Sequence, residues 1–433
     1  MTPRQSKTAS DLYQTASRYL VGGVAAAARS ASIFGVPFFI DHAEGSLIVD
    51  VQGKEYLDLH TSFGAALLGH KHPAVMKAVG QAMDMGMPCA FENEYNGIVA
   101  RKLVEMLPCA EKVRFSGTGT EATYHAVKLA RGYTGREMVV KFEGHFHGFN
   151  DVLQYNYWPG RDEGLPKLHP ESLGVPKAMD ELVTVLSFND VDALEKTIRR
   201  HKARIAAVVL EPVNFNSGGI LPTGEFLEVL RSLTAEHGIV LIFDEILSGF
   251  RTGPGCMQAH LGVTPDLCTV GKALGGGMHL SALAGRADIM DHLTPLGKVS
   301  HSGTYLGHPA AILACNTFLD EISKPGFWDA LLGRCDQLYS GLRDIIERRG
   351  VKCRLQSVGA RFCLLFGLED EPTCYADMVR NRDVERTNRF FRAAMANGVF
   401  TWHGYHHGIS AAHSQADVET ILERLDTSIA GIV

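Results

Sequence analysis

The chain has 433 residues, 45% of them hydrophobic, enough to bury a substantial core and to fill two or more structural units. A formal net charge of -6 gives no broad basic footprint for nucleic acid, and no apolar stretch reaches the roughly 20 residues that a membrane-spanning helix needs. Nine cysteines, never spaced as CxxC, argue against a disulfide framework or a structural zinc site, and the polar start MTPRQSKTASDLYQ shows no export signal, so a reduced, cytoplasmic protein is expected.

From about Phe39 to Leu59 the text FFIDHAEGSLIVDVQGKEYLDL alternates in part and breaks at Gly45 and Gly53, which predicts a small antiparallel unit. From about Pro73 to Ile289, apolar runs (MVVKFEG, IAAVVLEPV, IVLIFDEI, LCTVGKAL) alternate with helical stretches such as GEFLEVLRSLTAEHG. That alternation predicts a mostly parallel sheet covered by helices. After Gly303 the segments PAAILACNTFLDEI, RCDQLYSGLRDIIERRG and ADVETILERLDTSI read as helices of a smaller α+β domain. The expected division is an N-terminal segment, 1–65, contributing to the small domain, a large domain, 66–305, and a C-terminal small domain, 306–433.

In open α/β sheets ligands collect beyond the carboxyl ends of the strands, so reactive residues just after each apolar run carry the most information. In RFSGTGTEATYHAVKLARG a strand end runs into small residues and then a helical pattern; Thr118, Gly119 and Thr120 would offer hydroxyls and backbone N–H groups to an anion at the helix N-terminus. The string is neither a Walker A loop nor a GxGxxG fingerprint, and a simple capping box with Glu121 would leave Gly117 and Gly119 unexplained. KFEGHFHGFND puts Phe146 and His147 in a glycine-bounded loop, where an aromatic could stack on a flat cofactor ring. Glu211 ends IAAVVLEPV, with Asn216 and Ser217 following in a turn-rich stretch; local capping is the plainer alternative. IVLIFDEI ends in Asp244 and Glu245: a salt bridge to Arg251 is the preferred reading for Glu245, whereas Asp244 suits a protonated pyridine nitrogen. In LCTVGKALGGG, Lys272 sits among apolar residues and glycines, where a partly desolvated amine can attack a carbonyl and form a Schiff base. His403, His406 and His407 in TWHGYHHG suggest a pocket wall in preference to a metal cluster, since no cysteine or carboxylate completes a ligand set; no metal is expected.

In this order the motifs resemble the class III aminotransferases of pyridoxal 5'-phosphate (PLP) fold type I, and within them the glutamate-1-semialdehyde 2,1-aminomutase subgroup. Matching text runs from GGVAAAARS through DVQGKEYLDL, GHKHPAV, SGTGTEA, ARGYTGR, KFEGHFHG, LEPV, IFDEILSGFRTG, GVTPDL, GKALGGG and SGTYLGHPAA to SAAHSQADVE. The resemblance implies that Lys272 carries PLP, Asp244 faces the ring nitrogen, Phe146 stacks on the ring, and Thr118, Gly119 and Thr120 hold the phosphate. It implies that Thr304 reaches the phosphate of a neighbouring subunit's cofactor, making a homodimer with shared sites. Arg29 matches a position that grips a substrate carboxylate, although the subgroup's NSPVR is AAAAR here. The implied reaction moves an amino group between a small-molecule donor and an oxo acceptor. Two departures favour an intermolecular aminotransferase over the aminomutase. The lid stretch QYNYWPGRDEGLPKLHPESLGVP is bulky and charged, and His406 stands where the aminomutases carry a glutamate before AG. A catalytically silent PLP-binding homologue is the remaining alternative, and the intact Lys272 and Asp244 weigh against it.

Overall fold

The four apolar runs form neighbouring strands, Met138–Phe142, Ile205–Leu210, Val240–Glu245 and Leu267–Val270, with every residue buried. They are seen in a computed structural model that describes residues 8–30, 33–157, 167–401 and 406–432. Continuous Val, Ile and Leu are what a parallel strand covered on both faces demands. Val183–Leu186 extends the sheet beyond Met138–Phe142; Ser281–Gly285 and then Lys112–Ser116 complete its other side, giving seven strands. All pairings are parallel except the two made by Ser281–Gly285. This is the mixed α/β architecture with a parallel-rich central sheet that the sequence predicts.

Alternation along each strand sorts the side chains to two faces. Val240 and Ile242 join Ala126, Val127, Leu129 and Ala130 of the helix Gly119–Thr134, while Leu241 and Phe243 join the larger core on the opposite face. Asp244 therefore continues the row beneath that helix, and Glu245 continues the other row. The parallel strands release the chain at one edge of the sheet, where His145, Glu211, Ile246 and Lys272 follow.

Ile40–Glu44, Leu47–Asp50 and Glu55–Asp58 form the expected antiparallel unit, which is joined by Val399–Phe400 from the far end of the chain. A third sheet of Cys353–Val358, Arg361–Phe366 and His406–Gly408 is wholly antiparallel. The helices Phe327–Arg349 and Gln415–Ala430 pack against each other, and Pro309–Ile322 packs on Pro73–Asp84 and on the turn Lys272–Gly275. No helix among the described residues is long and apolar enough to cross a membrane, and all nine cysteines are unpaired.

Candidate active site

Lys272 follows Leu267–Val270 on a 3-10 turn and itself adopts a left-handed backbone, φ 45°. Such a conformation in a non-glycine residue costs energy and marks sites where the surroundings over-determine the backbone. Ala273 and Leu274 are buried and anchor the turn, and Lys272 is left half-buried above them. Burial pushes its ammonium down from 10.5 to about 8; Glu211 and Asp244 oppose the fall, and Arg361 and Arg251 add to it.

Asp244 is clamped. Its Oδ2 accepts a hydrogen bond from His147 Nδ1 at 2.7 Å, and its Oδ1 accepts from Thr269 Oγ1 at 3.0 Å and from the Ile246 amide at 3.1 Å. A carboxylate only accepts, so the His147 proton lies on Nδ1. Burial lowers the His147 pKa, and the bond to Asp244 opposes that. Thr269 is paired with Asp244 across the parallel strands, which is why a polar residue interrupts LCTV. Glu245 points to the other face, and the salt bridge to Arg251 read from the sequence is not formed. Glu245 accepts from the Met257 amide at 2.6 Å and from Gln258 Nε2 at 2.9 Å. Arg251 instead donates to the carbonyls of Leu247 and Gly64, because the turn after the strand carries it away from the carboxylate.

Glu211 holds the aromatic loop. Its Oε1 accepts from the Phe146 amide at 2.7 Å and its Oε2 from Asn216 Nδ2 at 3.3 Å. Burial, then the nearby Asp244, raises its carboxyl to about 8. Ser217 Oγ donates to the Gly144 carbonyl at 3.0 Å, and the half-buried Phe146 ring meets Phe149 and Tyr157 edge-on.

The helix Gly119–Thr134 is capped by Thr118, whose Oγ1 accepts from the Glu121 amide at 3.2 Å, while Glu121 Oε2 accepts from the Gly117 amide at 2.7 Å. The capping alternative is thus partly realised. It does not engage the amides of Gly119 and Thr120, which have no carbonyl within the helix to receive them. Two close approaches explain the glycines. A Cβ on Gly119 would lie 2.9 Å from Ile246 Cγ2, and one on Gly148, φ +83°, would lie 2.5 Å from Thr120 Oγ1. Thr123 Oγ1 donates to the His147 carbonyl at 2.7 Å, so the helix N-terminus, the Phe146–His147 loop and Asp244 form one connected body. Two unengaged amides, an aromatic, a clamped carboxylate and a nucleophilic amine fit a phosphate-bearing pyridine aldehyde.

Lys272, Asp244, Glu211, Phe146, His147, Asn216 and the Thr118–Thr120 turn thus converge, and His406 joins them through its electrostatic contact with Lys272. Arg29, closing the turn Ala27–Arg29, and Thr304 are both exposed, and among the described residues no hydrogen bond or ion pair links either to this group. Thr269 and Arg361 are additions that no local motif announces. His407 is buried against Phe362 and Phe391, and His403 lies outside the described residues. Elsewhere Glu121, His125 and His301 hold ligand-type atoms within 4.8 Å of one another. The two imidazoles stack at 3.8 Å and 13°, so their in-plane lone pairs run side by side and do not meet at one ion.

The family model described as aminotransferase class-III matches residues 27–407. The chain is 39% identical over 424 residues to a glutamate-1-semialdehyde 2,1-aminomutase of Laribacter hongkongensis (strain HLHK9), covering 97% of this chain and 99% of that one. Among solved structures, an omega-transaminase from Sphaerobacter thermophilus superposes with a TM-score of 0.93 at 30% identity, over 99% of this chain and 98% of that one. A beta-phenylalanine aminotransferase from Variovorax paradoxus superposes with a TM-score of 0.88 at 27% identity, over 98% and 94%.

Proposed function

Since the chain belongs to the class-III aminotransferase family, whose cofactor is PLP, we propose that it is an aminotransferase that holds PLP covalently on Lys272. It moves an amino group from a carboxylate-bearing donor to an oxo acceptor. The observation that carries this reading is the half-buried Lys272 amine, which follows the strand next to the one that bears the Asp244 carboxylate, clamped by three donors. When bound, PLP supplies an electron sink for the pair left behind when the proton beside the nitrogen departs. The chain supplies the rest. Lys272, once the donor's amine has taken its place and left its Nζ free and neutral, would take and return that proton, and Asp244 would accept a hydrogen bond from the ring N–H. The Gly119 and Thr120 amides would hold the phosphate with the hydroxyls of Thr118 and Thr120, and Phe146, seated by Glu211, would pack on the ring. A cytoplasmic homodimer in which Thr304 completes the partner's phosphate site, and Arg29 grips a substrate carboxylate, belongs to the same reading.

The bulky, charged stretch at 154–176 and His406 favour transfer between molecules. The 39% identical relative named as an aminomutase favours internal transfer as the second reading. Incubation with amino donors plus pyruvate or 2-oxoglutarate, beside glutamate-1-semialdehyde, separates them. A new amino acid formed from the added oxo acid is the expected result. Conversion of glutamate-1-semialdehyde alone would establish the aminomutase.

A further inference from the structure

Arg361 and His406 each open a strand, Arg361–Phe366 and His406–Gly408, and the two strands pair antiparallel with Cys363 opposite His406. Arg361, two residues along, is the diagonal neighbour on the same face. It is 1% exposed. Nη1 donates to Thr61 Oγ1 at 3.0 Å, Nη2 donates to His406 Nδ1 at 2.6 Å, and Nε is buried with no partner. Thr61 is brought there by three successive left-handed residues, Thr61, Ser62 and Phe63, with φ between 50° and 54°. Strain of that kind persists where the surroundings impose it. No carboxylate pairs with Arg361 among the described residues.

A guanidinium has five donors and no acceptor. The 2.6 Å contact therefore makes His406 Nδ1 the acceptor, which leaves the single imidazole proton on Nε2. Protonation of His406 would set an N–H against a cationic N–H. Burial first, then Arg361 and Lys272, hold its pKa well below the ordinary value. With Nδ1 occupied, Nε2 is the ring nitrogen left for a ligand, on a half-buried residue beside Lys272.

We propose that Arg361 is a positioning residue that locks His406 as a neutral Nε2–H donor, and that this donor, with the guanidinium behind it, receives a carboxylate of the amino donor. The inference rests on the aminotransferase reading and names the group recognised within it. A buried cation with no paired carboxylate is costly, since Asp58 acts on Arg361 only from a distance, and an incoming carboxylate supplies the close charge that the protein withholds. The edge offered is donor-only, which suits oxygens that only accept and opposes a substrate ammonium.

The test uses the cofactor-loaded protein and the variants Arg361→Met, Arg361→Lys and His406→Phe. Imidazole nitrogen NMR should find the wild-type His406 proton on Nε2, with no titration across the range of an ordinary histidine, and mixed tautomers in Arg361→Met. Dissociation constants for propanoate, with propanamide as its uncharged isostere, are read from the absorbance of the bound cofactor. Propanoate should weaken by about tenfold or more in Arg361→Met and His406→Phe and recover in part in Arg361→Lys, while propanamide changes less than about twofold. A proton on Nδ1, or unchanged propanoate affinity in both His406→Phe and Arg361→Lys, would overturn the proposal. His406→Phe and Arg361→Lys keep the test decisive should Arg361→Met fail to fold. Neither measurement needs turnover, so absence of amino transfer would sink the aminotransferase reading and leave this result distinguishable from it.

Discussion

Burial makes the Lys272 amine available at physiological pH, because only the neutral form attacks a carbonyl. In the cofactor-free protein, covalent capture of PLP should therefore accelerate as pH rises through about 8 and level off above it. Rapid mixing followed by absorbance reads the profile; a rate still climbing near the 10.5 of an ordinary lysine would refute the assignment. Asp244→Asn keeps the shape and removes the charge, and kcat should fall by about 100-fold or more. Cofactor retained and kcat unchanged would remove Asp244 from the chemistry. Lys272 and Asp244 stand out in the sequence because an amine among glycines and a carboxylate closing an apolar strand are costly to bury, and the structure places them at the ends of neighbouring strands. Thr269 and Arg361 are not legible, since each is defined by a partner that only strand register supplies. Arg251 misleads for the opposite reason. Nearness in the chain suggests Glu245, but its donors go to the Leu247 and Gly64 carbonyls.

Elements place these residues through alternation and close approach. The strand Val240–Glu245 sends Asp244 towards His147 and the helix Gly119–Thr134 and Glu245 into the core, where burial raises the Glu245 carboxyl to about 7. The folded protein then binds a proton that the unfolded chain has already lost, so between about pH 4.5 and 7 this group subtracts stability as pH rises. Glu245→Gln should flatten that slope, gaining on the wild type by a few kcal/mol between pH 5 and 8 in chemical denaturation, to order of magnitude. Parallel slopes for the two proteins would show that Glu245 titrates normally. The loop glycine makes a second element-scale prediction. Gly148→Ala sets a methyl against Thr120 at a left-handed backbone position, so it should lower PLP affinity by about tenfold or more while leaving the distant sheets folded. Equilibrium dialysis with a far-ultraviolet spectrum checks both halves. The four apolar strands are legible because burial on both faces erases polar alternation. Ser281–Gly285 hides because SALAG carries no β-branched or aromatic residue, and its antiparallel place between two strands follows from topology alone.

At the scale of the whole molecule, one chain leaves the turn Thr118–Thr120, the proposed phosphate cradle, near the surface. Thr118 and Thr304 are both exposed, and no hydrogen bond among the described residues joins them. Large apolar side chains lie exposed on two segments: Met76, Met83 and Phe91 on and after the helix Pro73–Asp84, and Tyr305 beside Thr304. Gly307 lies against Asn96, which brings the Thr304 segment alongside the start of the helix Glu94–Met106 and so towards Phe91. A surface of that kind seldom stays bare in a monomer, and a two-fold pairing covers the same patch on both copies. If that pairing completes the cradle, oligomer and cofactor are linked, and whatever weakens one weakens the other. Tyr305→Glu should shift the protein from dimer to monomer in sedimentation velocity, and its PLP affinity should drop by about tenfold or more. Thr304→Val should lower PLP affinity while leaving the dimer intact, because it exchanges the hydroxyl for a methyl and removes no apolar contact. A monomeric Tyr305→Glu protein that binds PLP as tightly as the wild type would place the whole phosphate site within one chain.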